Sequence, residues 1–538
     1  MPLQFLLSSF FAATAVPPTR VSRRVAVIGG GSGGVVAARF LKRAGHKPVI
    51  FESGTQFGGV WADSPTNPVV YKNLHTNLPT VVMQSPDLDF EPDLPSYITK
   101  PQLGRYIERY AEAFGVAPLA NFGASVKRVT CLGKGDNAGT AAGAEPQWEV
   151  QWRTAADGAT HTETFDAVIV ANGHYESPYV PSVPGDTEWL AGDATRSIVH
   201  SREYDDPDDF AGRSVLVVGG RSSGVDISRE LRGVAKWVYI LEKKCEAAVT
   251  HEGEAITHVP FGAKLSADGQ LRLDAPTAAD AASSNDAARS EAAASGEAAA
   301  STDPAADSPT GTGTDAKRAE IVLPGPPVDR VVLATGYVYS FPFLDEAALG
   351  MSFRGKRFVT PLYQHLMHTK LPSLGFIGVP LAVPCPIPYF ECQAAYLAEA
   401  WARPASDALT TESERERWLD ERIEAVGERT QDLHFTSAGG GNPWAYMREL
   451  LRLIHAEKPP TKDGESWVER TNWEARLSTV ESVYKDRGAR YPKKPWHDDA
   501  YRRCEYQVDW ESGTWSVDDS RAQAAAPGCE QEQEAAAA

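Results

Sequence analysis

Short apolar runs and stretches with helical spacing divide the N-terminal part of the chain into two similar units. Residues 25–28 are all apolar, residues 35–41 have the spacing of a buried helix, and residues 49–51 form a second apolar run. The same order begins again at the apolar run 215–218. Runs of this kind are typical of strands that are buried on both faces of a parallel sheet. The pattern therefore predicts two units of the order strand, helix, strand.

A glycine-rich turn follows the first strand of each unit. The first turn consists of Gly29, Gly30, Gly31, Ser32, Gly33 and Gly34, and the second consists of Gly219, Gly220, Arg221, Ser222, Ser223 and Gly224. Glycine permits the backbone angles of a tight strand-to-helix turn and lets a pyrophosphate approach the backbone. The helix that follows presents free N–H groups and the positive end of its dipole to the phosphates.

An acidic residue ends the second strand of each unit. Glu52 follows Gly29 by 23 positions, and Glu242 follows Gly219 by the same number. A carboxylate at this position accepts hydrogen bonds from a ribose diol. Two complete patterns of this kind predict that the chain binds two nucleotides, most simply a flavin and a nicotinamide cofactor.

The remaining patterns predict the domain organisation. Alternating polar and apolar residues at 125–130 and 148–152 favour a hairpin, and prolines after position 177 mark a crossing into a second domain. We expect an α/β fold with two Rossmann-like dinucleotide-binding domains, the nicotinamide domain inserted into the flavin domain, and a C-terminal helical extension. The predicted segments are a leader (1–23), the first part of the flavin domain (24–177), the nicotinamide domain (178–340) with a disordered insertion (275–316), the return of the flavin domain (341–403), a helical region (404–516) and a disordered tail (517–538).

Composition narrows the classes of function. A length of 538 residues exceeds that of one usual domain, and a net charge of -18 argues against nucleic-acid binding, which needs basic patches. The six cysteines lack CxxC spacing and indicate neither a metal site nor a disulfide framework. No run after the leader is long enough to cross a bilayer. Residues 3–16 fit either a cleaved targeting peptide or an inert extension, and the compartment and a homodimeric state stay open.

Five further motifs occur in order between residues 24 and 397. They are Gly58-Gly59-Val60-Trp61, the block from Tyr71 to Pro79, Asn172-Gly173-His174-Tyr175, His200-Ser201-Arg202-Glu203-Tyr204 and Ala334-Thr335-Gly336-Tyr337. With the two glycine turns, this set resembles the flavin-containing monooxygenases and is most similar to their plant S-oxygenating branch, which includes glucosinolate S-oxygenases. Ala194 and Arg196 depart from the family signature, which has Phe and Gly there. Arg221 replaces a small residue, and it either reinforces pyrophosphate binding by its charge or crowds the cofactor.

The resemblance implies an enzyme that depends on FAD and NADPH. In the family, NADPH reduces FAD, dioxygen then forms a 4a-hydroperoxyflavin, and one oxygen atom goes to a thioether sulfur or an amine nitrogen. The protein must keep this peroxide away from water. A small-molecule substrate and dioxygen are therefore the expected partners.

The resemblance also implies roles for single residues. Asn77 is expected at the reaction site, because its uncharged amide can both donate and accept hydrogen bonds near the peroxide and the retained NADP. Further cofactor contacts are expected, beyond the first turn and Glu52, at Gly59, Val60, Trp61, Thr76, Val126, Thr335, Gly336 and Gln393, the last at the start of a predicted helix. The substrate pocket is expected between residues 71–84 and 363–390.

The residues alone leave the choice between NADPH and NADH open. Glu242 would repel a 2′-phosphate, whereas Lys243 and Lys244 directly after it would pair with that phosphate. The resemblance favours NADPH. His200 is expected to form a structural hydrogen bond between domains and not to act as a base.

Other functions compete with this interpretation. A disulfide reductase would need a cysteine pair shortly after Glu52, and residues 53–62 contain none. Baeyer–Villiger monooxygenases have Trp-Pro where this chain has Tyr204 and Asp205, which favours S- or N-oxygenation while leaving Baeyer–Villiger and N-hydroxylating enzymes as alternatives. An alternative from another class is a non-catalytic or uncoupled flavoprotein that releases hydrogen peroxide.

Overall fold

The computed structural model describes residues 20–62, 69–133, 146–243, 245, 247–274, 320–455, 467–490 and 499–523. The predicted insertion, Lys244, most of the predicted leader and most of the predicted tail lie outside the described residues.

Seven strands form the first sheet. In spatial order they are Leu362–Tyr363, Met367–His368, Leu374–Phe376, Ala167–Val170, Arg24–Ile28, Lys47–Glu52 and Ala120–Phe122. The last five pair in parallel. Along the central strand, Val25 and Val27 lie in one hydrophobic core, and Ala26 and Ile28 lie in another. Because both faces are covered, the strand is apolar throughout.

Six strands form the second sheet. In spatial order they are Val249–His251, Ile256–Pro260, Trp237–Glu242, Ser214–Val218, Arg330–Leu333 and Ser197–His200. Only the edge strand Val249–His251 is antiparallel to its neighbour. This sheet too separates two cores, since Leu216 packs on one side and Val215 and Val217 on the other.

Smaller antiparallel sheets are attached to these two. Strands Ala124–Leu132, Gln147–Thr154 and Thr160–Phe165 form one of them, and their pairing confirms the predicted hairpin. The other short strands are Lys264–Leu265, Leu271–Asp274 and Glu320–Val322, the pair Ser177–Pro178 and Tyr337–Val338, and the pair Glu505–Asp509 and Thr514–Asp518.

The helix after each glycine turn packs against its own sheet. We call Ser32–Arg43 the first glycine helix and Ser222–Leu231 the second glycine helix. The other α-helices of the described residues are Thr80–Met83, Lys100–Ala113, Asp186–Gly192, Glu346–Leu349, Pro386–Trp401, Glu412–Val426, Pro443–His455, Trp467–Arg470, Trp473–Arg490 and Ser520–Gln523. Short 3-10 helices are Gly59–Trp61, Ala117–Leu119, Pro207–Phe210, Glu252–Glu254, Ala405–Asp407, Thr430–Asp432, Ala438–Gly440 and Ala500–Arg503.

The C-terminal helices share a core with the first sheet. Leu397 of helix Pro386–Trp401 and Leu450 of helix Pro443–His455 are buried in the same cluster as Val25. The former helix begins at Pro386 and not near Gln393 as predicted, because prolines occupy its first turn, where their fixed φ suits a helix. The architecture confirms the predicted α/β class with two nucleotide-binding sheets and a helical C-terminal region.

Candidate functional site

The first turn joins the strand Arg24–Ile28 to the first glycine helix. Gly29 has a φ of +111°, and a β-carbon there would lie 2.5 Å from the carbonyl oxygen of Ala171. A β-carbon on Gly34 would lie 1.9 Å from the carbonyl oxygen of Gly29, so glycine lets helix and strand touch. A β-carbon on Gly31 would meet no protein atom nearer than 3.5 Å. A β-carbon on Gly31 would thus touch the Gly59 backbone without a clash, so packing within the protein does not by itself require glycine here.

Backbone donors orient the carboxylate of Glu52 at this turn. The Gly30 N–H donates to Oε2 and the Gly54 N–H donates to Oε1, both at 2.6 Å. The Gly58 N–H donates to the Gly30 carbonyl oxygen at 3.1 Å, which brings the Gly59 backbone against the turn. The helix N-terminus has no side-chain cap, so its first N–H groups can bind phosphate. These features fit the adenosine diphosphate part of FAD.

Both turns open on one cleft of about 760 Å³. Among the residues predicted for the site, the cleft is lined by Gly29, Gly31, Ser32, Gly33, Glu52, Gly59, Val60, Trp61, Thr76, Asn77, Ser222 and Ser223. The last two belong to the second glycine helix. The cleft therefore joins the two nucleotide-binding units.

Asn77 lies on the wall of this cleft, half-buried, and its side-chain amide makes no hydrogen bond within the described part of the chain. The neighbouring Thr76 is fixed by Ile98. The Thr76 N–H donates to the Ile98 carbonyl oxygen at 2.8 Å, and the Ile98 N–H donates to Thr76 Oγ1 at 3.1 Å. A rigid backbone thus presents an unpaired amide to the cleft.

Part of the cleft wall is apolar. Its apolar side chains include Met83, Leu103, Ile107, Val383, Ile387 and Phe390. Such a wall excludes water from a reactive oxygen species and suits an uncharged acceptor.

Two other cleft residues present buried polar atoms without a partner. Within the described residues, Oδ1 of Asn172 and Nε2 of His174 are buried and accept or donate no hydrogen bond. Nδ1 of His174 lies 3.0 Å from the carbonyl oxygen of Gly378 and donates to it. Desolvation lowers the pKa of His174 to about 4, so the ring is neutral near pH 7 and Nε2 is an acceptor. Orphaned acceptors of this kind fit a ligand with polar hydrogens, such as a flavin.

The second turn repeats the backbone of the first. Gly219 has a φ of +122°, and a β-carbon there would lie 2.5 Å from the carbonyl oxygen of Ala334. A β-carbon on Gly224 would lie 1.7 Å from the carbonyl oxygen of Gly219. The residues between them are exposed, from Gly220 to Ser223. This turn fits a second dinucleotide that approaches from solvent.

Charged groups around the second turn bear on the choice of nicotinamide cofactor. Oε1 of Glu242 lies 2.8 Å from Nδ1 of His258, so the carboxylate already has a partner. The Arg221 guanidinium lies 5.3 Å from the ring centre of Phe435. Desolvation and the nearby guanidinium groups of Arg221 and Arg357 lower the pKa of Lys243. Three cations therefore gather beside the second turn.

Several predicted residues do not reach the cleft. Val126 lies in the strand Ala124–Leu132 and packs against a core. Thr335 Oγ1 donates to the Tyr179 carbonyl oxygen at 2.5 Å, and the Gly336 carbonyl oxygen lies 3.0 Å from Nε2 of His200, at the crossing between the two units. The other predicted residues outside the lining are Gly30, Gly34, Gly219, Gly220, Arg221, Gly224 and Lys243, which frame the two turns.

Gln393 lies in the middle of helix Pro386–Trp401 and not at its start. It is fully buried, its Oε1 accepts from the Gly378 N–H at 3.1 Å, and its Nε2 donates to Tyr446 at 3.0 Å. Its amide is thus occupied by protein partners and orders Gly378, which itself lines the cleft.

Sequence reasoning missed Asp226 and Arg502. Asp226 lies on the second glycine helix and lines the cleft, and Arg502 bonds to it from the C-terminal region. A signal for Asp226 was present, because this acid stands between Gly224 and Ile227 on the buried face of the helix. Arg502 had no local signal.

Comparisons with known proteins agree with this geometry. The family model of flavin-binding monooxygenase-like proteins matches residues 22–253. The flavin-containing monooxygenase FMO GS-OX5 of Arabidopsis thaliana is 30% identical over 514 residues, which cover 89% of this chain and 93% of the relative. FMO GS-OX-like 2 of the same plant is 30% identical over 77% of this chain and 82% of the relative.

Solved structures share the fold. The S-allyl-L-cysteine S-oxygenase of Allium sativum superposes with a TM-score of 0.66 at 25% identity, covering 89% of this chain and 96% of the other. Tmm of Pelagibacter sp. strain HTCC7211 superposes with a TM-score of 0.63 at 18% identity, over 92% of this chain and 96% of the other, and shows likeness of fold alone. Across the described segments, no helix has both the length and the apolar content needed to span a bilayer.

Proposed function

Since the chain belongs to the flavin-containing monooxygenase family, we propose that it transfers one oxygen atom of dioxygen to a soft nucleophile, with thioether sulfur as the preferred acceptor. Family membership makes the chain a flavin-dependent monooxygenase with FAD and NADPH as its cofactors. The single observation that supports the proposed reaction is the shared cleft. Two nucleotide-binding turns open on it, and the unpaired Asn77 amide lies on its wall.

The two cofactors are assigned to the two turns. The first turn and Glu52 would hold the diphosphate and ribose of FAD, and the second turn would hold NADPH. When bound and reduced, FAD supplies the oxygen chemistry expected from the sequence. Asn172 and His174 would accept hydrogen bonds from the flavin, since their buried acceptors have no partner among the described residues.

The protein's own contribution is placement and exclusion of water. The Asn77 amide would donate a hydrogen bond to the reacting oxygen and accept one from the nicotinamide cofactor, without adding charge. The apolar wall around Met83 and Phe390 would keep water out of the reacting region. A site that fails in either respect releases hydrogen peroxide in place of product.

The apolar wall also supports sulfur over nitrogen. A thioether is neutral, whereas an alkylamine is protonated near neutral pH and loses solvation on entering such a wall. The S-allyl-L-cysteine S-oxygenase is itself an enzyme that oxygenates a sulfur. N-oxygenation is the second candidate, because the carboxylate of Glu176 also lines the cleft and would attract a cation.

The cations beside the second turn support the use of NADPH over NADH. Arg221, Lys243 and Arg357 would pair with a 2′-phosphate. The carboxylate of Glu242 accepts a hydrogen bond from His258 and keeps its negative charge, which the three cations would have to outweigh.

A screen with an aryl methyl thioether, a tertiary amine and a cyclic ketone tests the proposal. NADPH consumption, oxygenated product and hydrogen peroxide are measured in the same reactions, with the flavin-free variant Gly31→Val as background. We expect sulfoxide to account for most of the NADPH consumed. Lactone as the main product would assign the chain to Baeyer–Villiger chemistry. Hydrogen peroxide equal to NADPH with every acceptor would identify an uncoupled flavoprotein.

A further inference from the structure

A cation from the far end of the chain lies where the two nucleotide-binding units meet. Arg502, in the 3-10 helix Ala500–Arg503, has a side chain that is only 10% exposed. Its Nη2 donates to Oδ2 of Asp226 at 2.9 Å and to the carbonyl oxygen of His75 at 3.3 Å. Its Nε donates to the carbonyl oxygen of Thr76 at 3.3 Å. One guanidinium therefore bonds the second glycine helix and the backbone immediately before Asn77.

The acceptor on the helix is a buried carboxylate with several donors. The Tyr71 hydroxyl donates to Oδ2 of Asp226 at 2.9 Å, and Arg229 Nη1 donates to Oδ1 at 2.8 Å. Burial by itself opposes ionisation, but the charges of Arg502 and Arg229 lower the pKa of Asp226 below its ordinary value. Asp226 thus forms one buried ion pair with Arg502 and a second with Arg229, and loss of Arg502 removes one of its two cationic partners.

These hydrogen bonds connect the second glycine helix to the backbone just before Asn77. Ser222 and Ser223 begin the second glycine helix at the turn that fits the nicotinamide cofactor, and Asp226 lies one helical turn further along. Asp226 is tied through Arg502 to the carbonyl groups of His75 and Thr76. A displacement of this helix, if the cofactor caused one, would therefore reach the peptide that carries Asn77 through these hydrogen bonds.

We propose that Arg502 is a positioning residue that couples occupancy of the nicotinamide site to the placement of Asn77. The planar guanidinium suits this task, because it bonds three acceptors in a fixed geometry that an ammonium group cannot reproduce. The inference rests on the proposed role of Asn77, and it does not depend on which acceptor is oxygenated.

The adjacent arginine provides a matched control. The side chain of Arg503 is 52% exposed, and among the charged groups of the described residues it approaches the carboxylate of Asp499, at 4.0 Å. The same carboxylate lies 3.8 Å from Nη1 of Arg502. Arg503→Met removes the same charge from the same short helix and leaves the hydrogen bonds of Arg502 to Asp226, His75 and Thr76 in place.

The experiment compares flavin-loaded Arg502→Met, Arg502→Lys and Arg503→Met with the parent protein. Affinity for NADP+ is measured by calorimetric titration, and the fraction of NADPH electrons recovered as hydrogen peroxide is measured during turnover. We expect Arg502→Met to bind NADP+ about five- to tenfold more weakly and to release more peroxide, consistent with the usual size of coupling between sites. Arg502→Lys should lie between it and the parent, and Arg503→Met should match the parent.

Parental NADP+ affinity together with parental coupling in Arg502→Met would overturn the proposal. If that variant is recovered without flavin, Arg502→Lys decides by the same two criteria. A peroxide increase without any change in NADP+ affinity also overturns it, because a purely structural defect at Asn77 has that signature. If Asn77→Ala leaves coupling unchanged, the proposed role of Asn77 fails separately from the effect of Arg502 on NADP+ affinity.

Discussion

The first and second glycine turns share one backbone and differ in what surrounds them. Gly29 and Gly219 have φ values of +111° and +122°, and a β-carbon on either would lie 2.5 Å from a carbonyl oxygen of the adjacent chain segment. In the first turn the Gly59 backbone packs on Gly31, and two N–H groups hold Glu52. In the second turn Gly220 to Ser223 are exposed.

This difference is the one expected if the first turn holds FAD and the second holds NADPH, as proposed. A covered turn retains its ligand until the cover moves, as a flavin that stays through many turnovers requires. An exposed turn lets its ligand exchange, as a consumed nicotinamide requires. In this proposal the backbone of each turn binds the phosphates, and the covering of the turn sets how long the cofactor stays bound.

The largest expected effect is loss of flavin in Gly31→Val. A β-carbon at this position would meet no protein atom nearer than 3.5 Å, so we expect the variant to fold, and its side chain would occupy the path proposed for the FAD pyrophosphate. We expect a folded protein that is essentially free of FAD by the ratio of flavin to protein absorbance. Arg221→Val at the equivalent position of the second turn is the control and should retain FAD. Equal flavin content in the two variants would contradict the assignment of FAD to the first turn and of NADPH to the second.

A second prediction concerns the segment between the turns. Asn77→Ala should keep FAD and lower sulfoxide formed per NADPH by roughly tenfold, with hydrogen peroxide replacing it, because the donor at the reacting oxygen is lost. Product and peroxide are measured together. Asn73→Ala, at an exposed position of the same segment, should behave as the parent does. Unchanged coupling in Asn77→Ala would remove this residue from the mechanism.

A third prediction tests whether Arg221 reinforces or crowds the second turn. Arg221→Ala should raise KM for NADPH about five- to tenfold, the size of one lost charged hydrogen bond at a partly exposed site, and should leave KM for NADH unchanged. Steady-state kinetics with both cofactors provide the measurement. Arg232→Ala, whose side chain pairs with Glu254 in the same domain, is the control. A lower KM for NADPH would show that Arg221 crowds the site.

The smallest expected effect concerns His434 and its neighbour His365. His434 directly precedes Phe435, whose ring lies against the Arg221 guanidinium. Nδ1 of His434 lies 3.0 Å from Nδ1 of His365, and both rings are buried. Desolvation lowers the pKa of His434 from 6.5 to about 3. Below pH 6.5 the unfolded chain binds a proton that the folded chain does not, so the free energy of unfolding decreases as pH falls toward 3.

The expected loss is about 1 kcal/mol per pH unit once the pH is well below 6.5. Urea unfolding near neutral pH and near pH 5 measures it, and His434→Asn should lose less stability over the same interval. An equal loss in parent and variant would mean that other groups dominate the acid response.

Local patterns carried much of the prediction. Each glycine turn is close in sequence to the helix that follows it and to the acid that ends the next strand. The residue types that these three features require therefore occur together in one short stretch of the chain. Glu52 was assigned in this way, and it lies in the cleft with its carboxylate oriented by Gly30 and Gly54. The contacts of Gln393 could not be predicted in this way. Its hydrogen bonds to Gly378 and Tyr446 depend on how its helix packs against the rest of the chain and not on the local sequence pattern.

The sequence by itself determined the α/β class and the two nucleotide-binding turns, because short-range periodicity and backbone requirements encode them, whereas Asn77 was singled out by its block's resemblance to a family. Only the tertiary structure decided that both turns open on one cleft, and that Arg502 contacts Asp226 across 276 positions of sequence. Contacts over such a distance leave no periodic trace, since they arise from the packing of whole elements and not from the order of neighbouring residues.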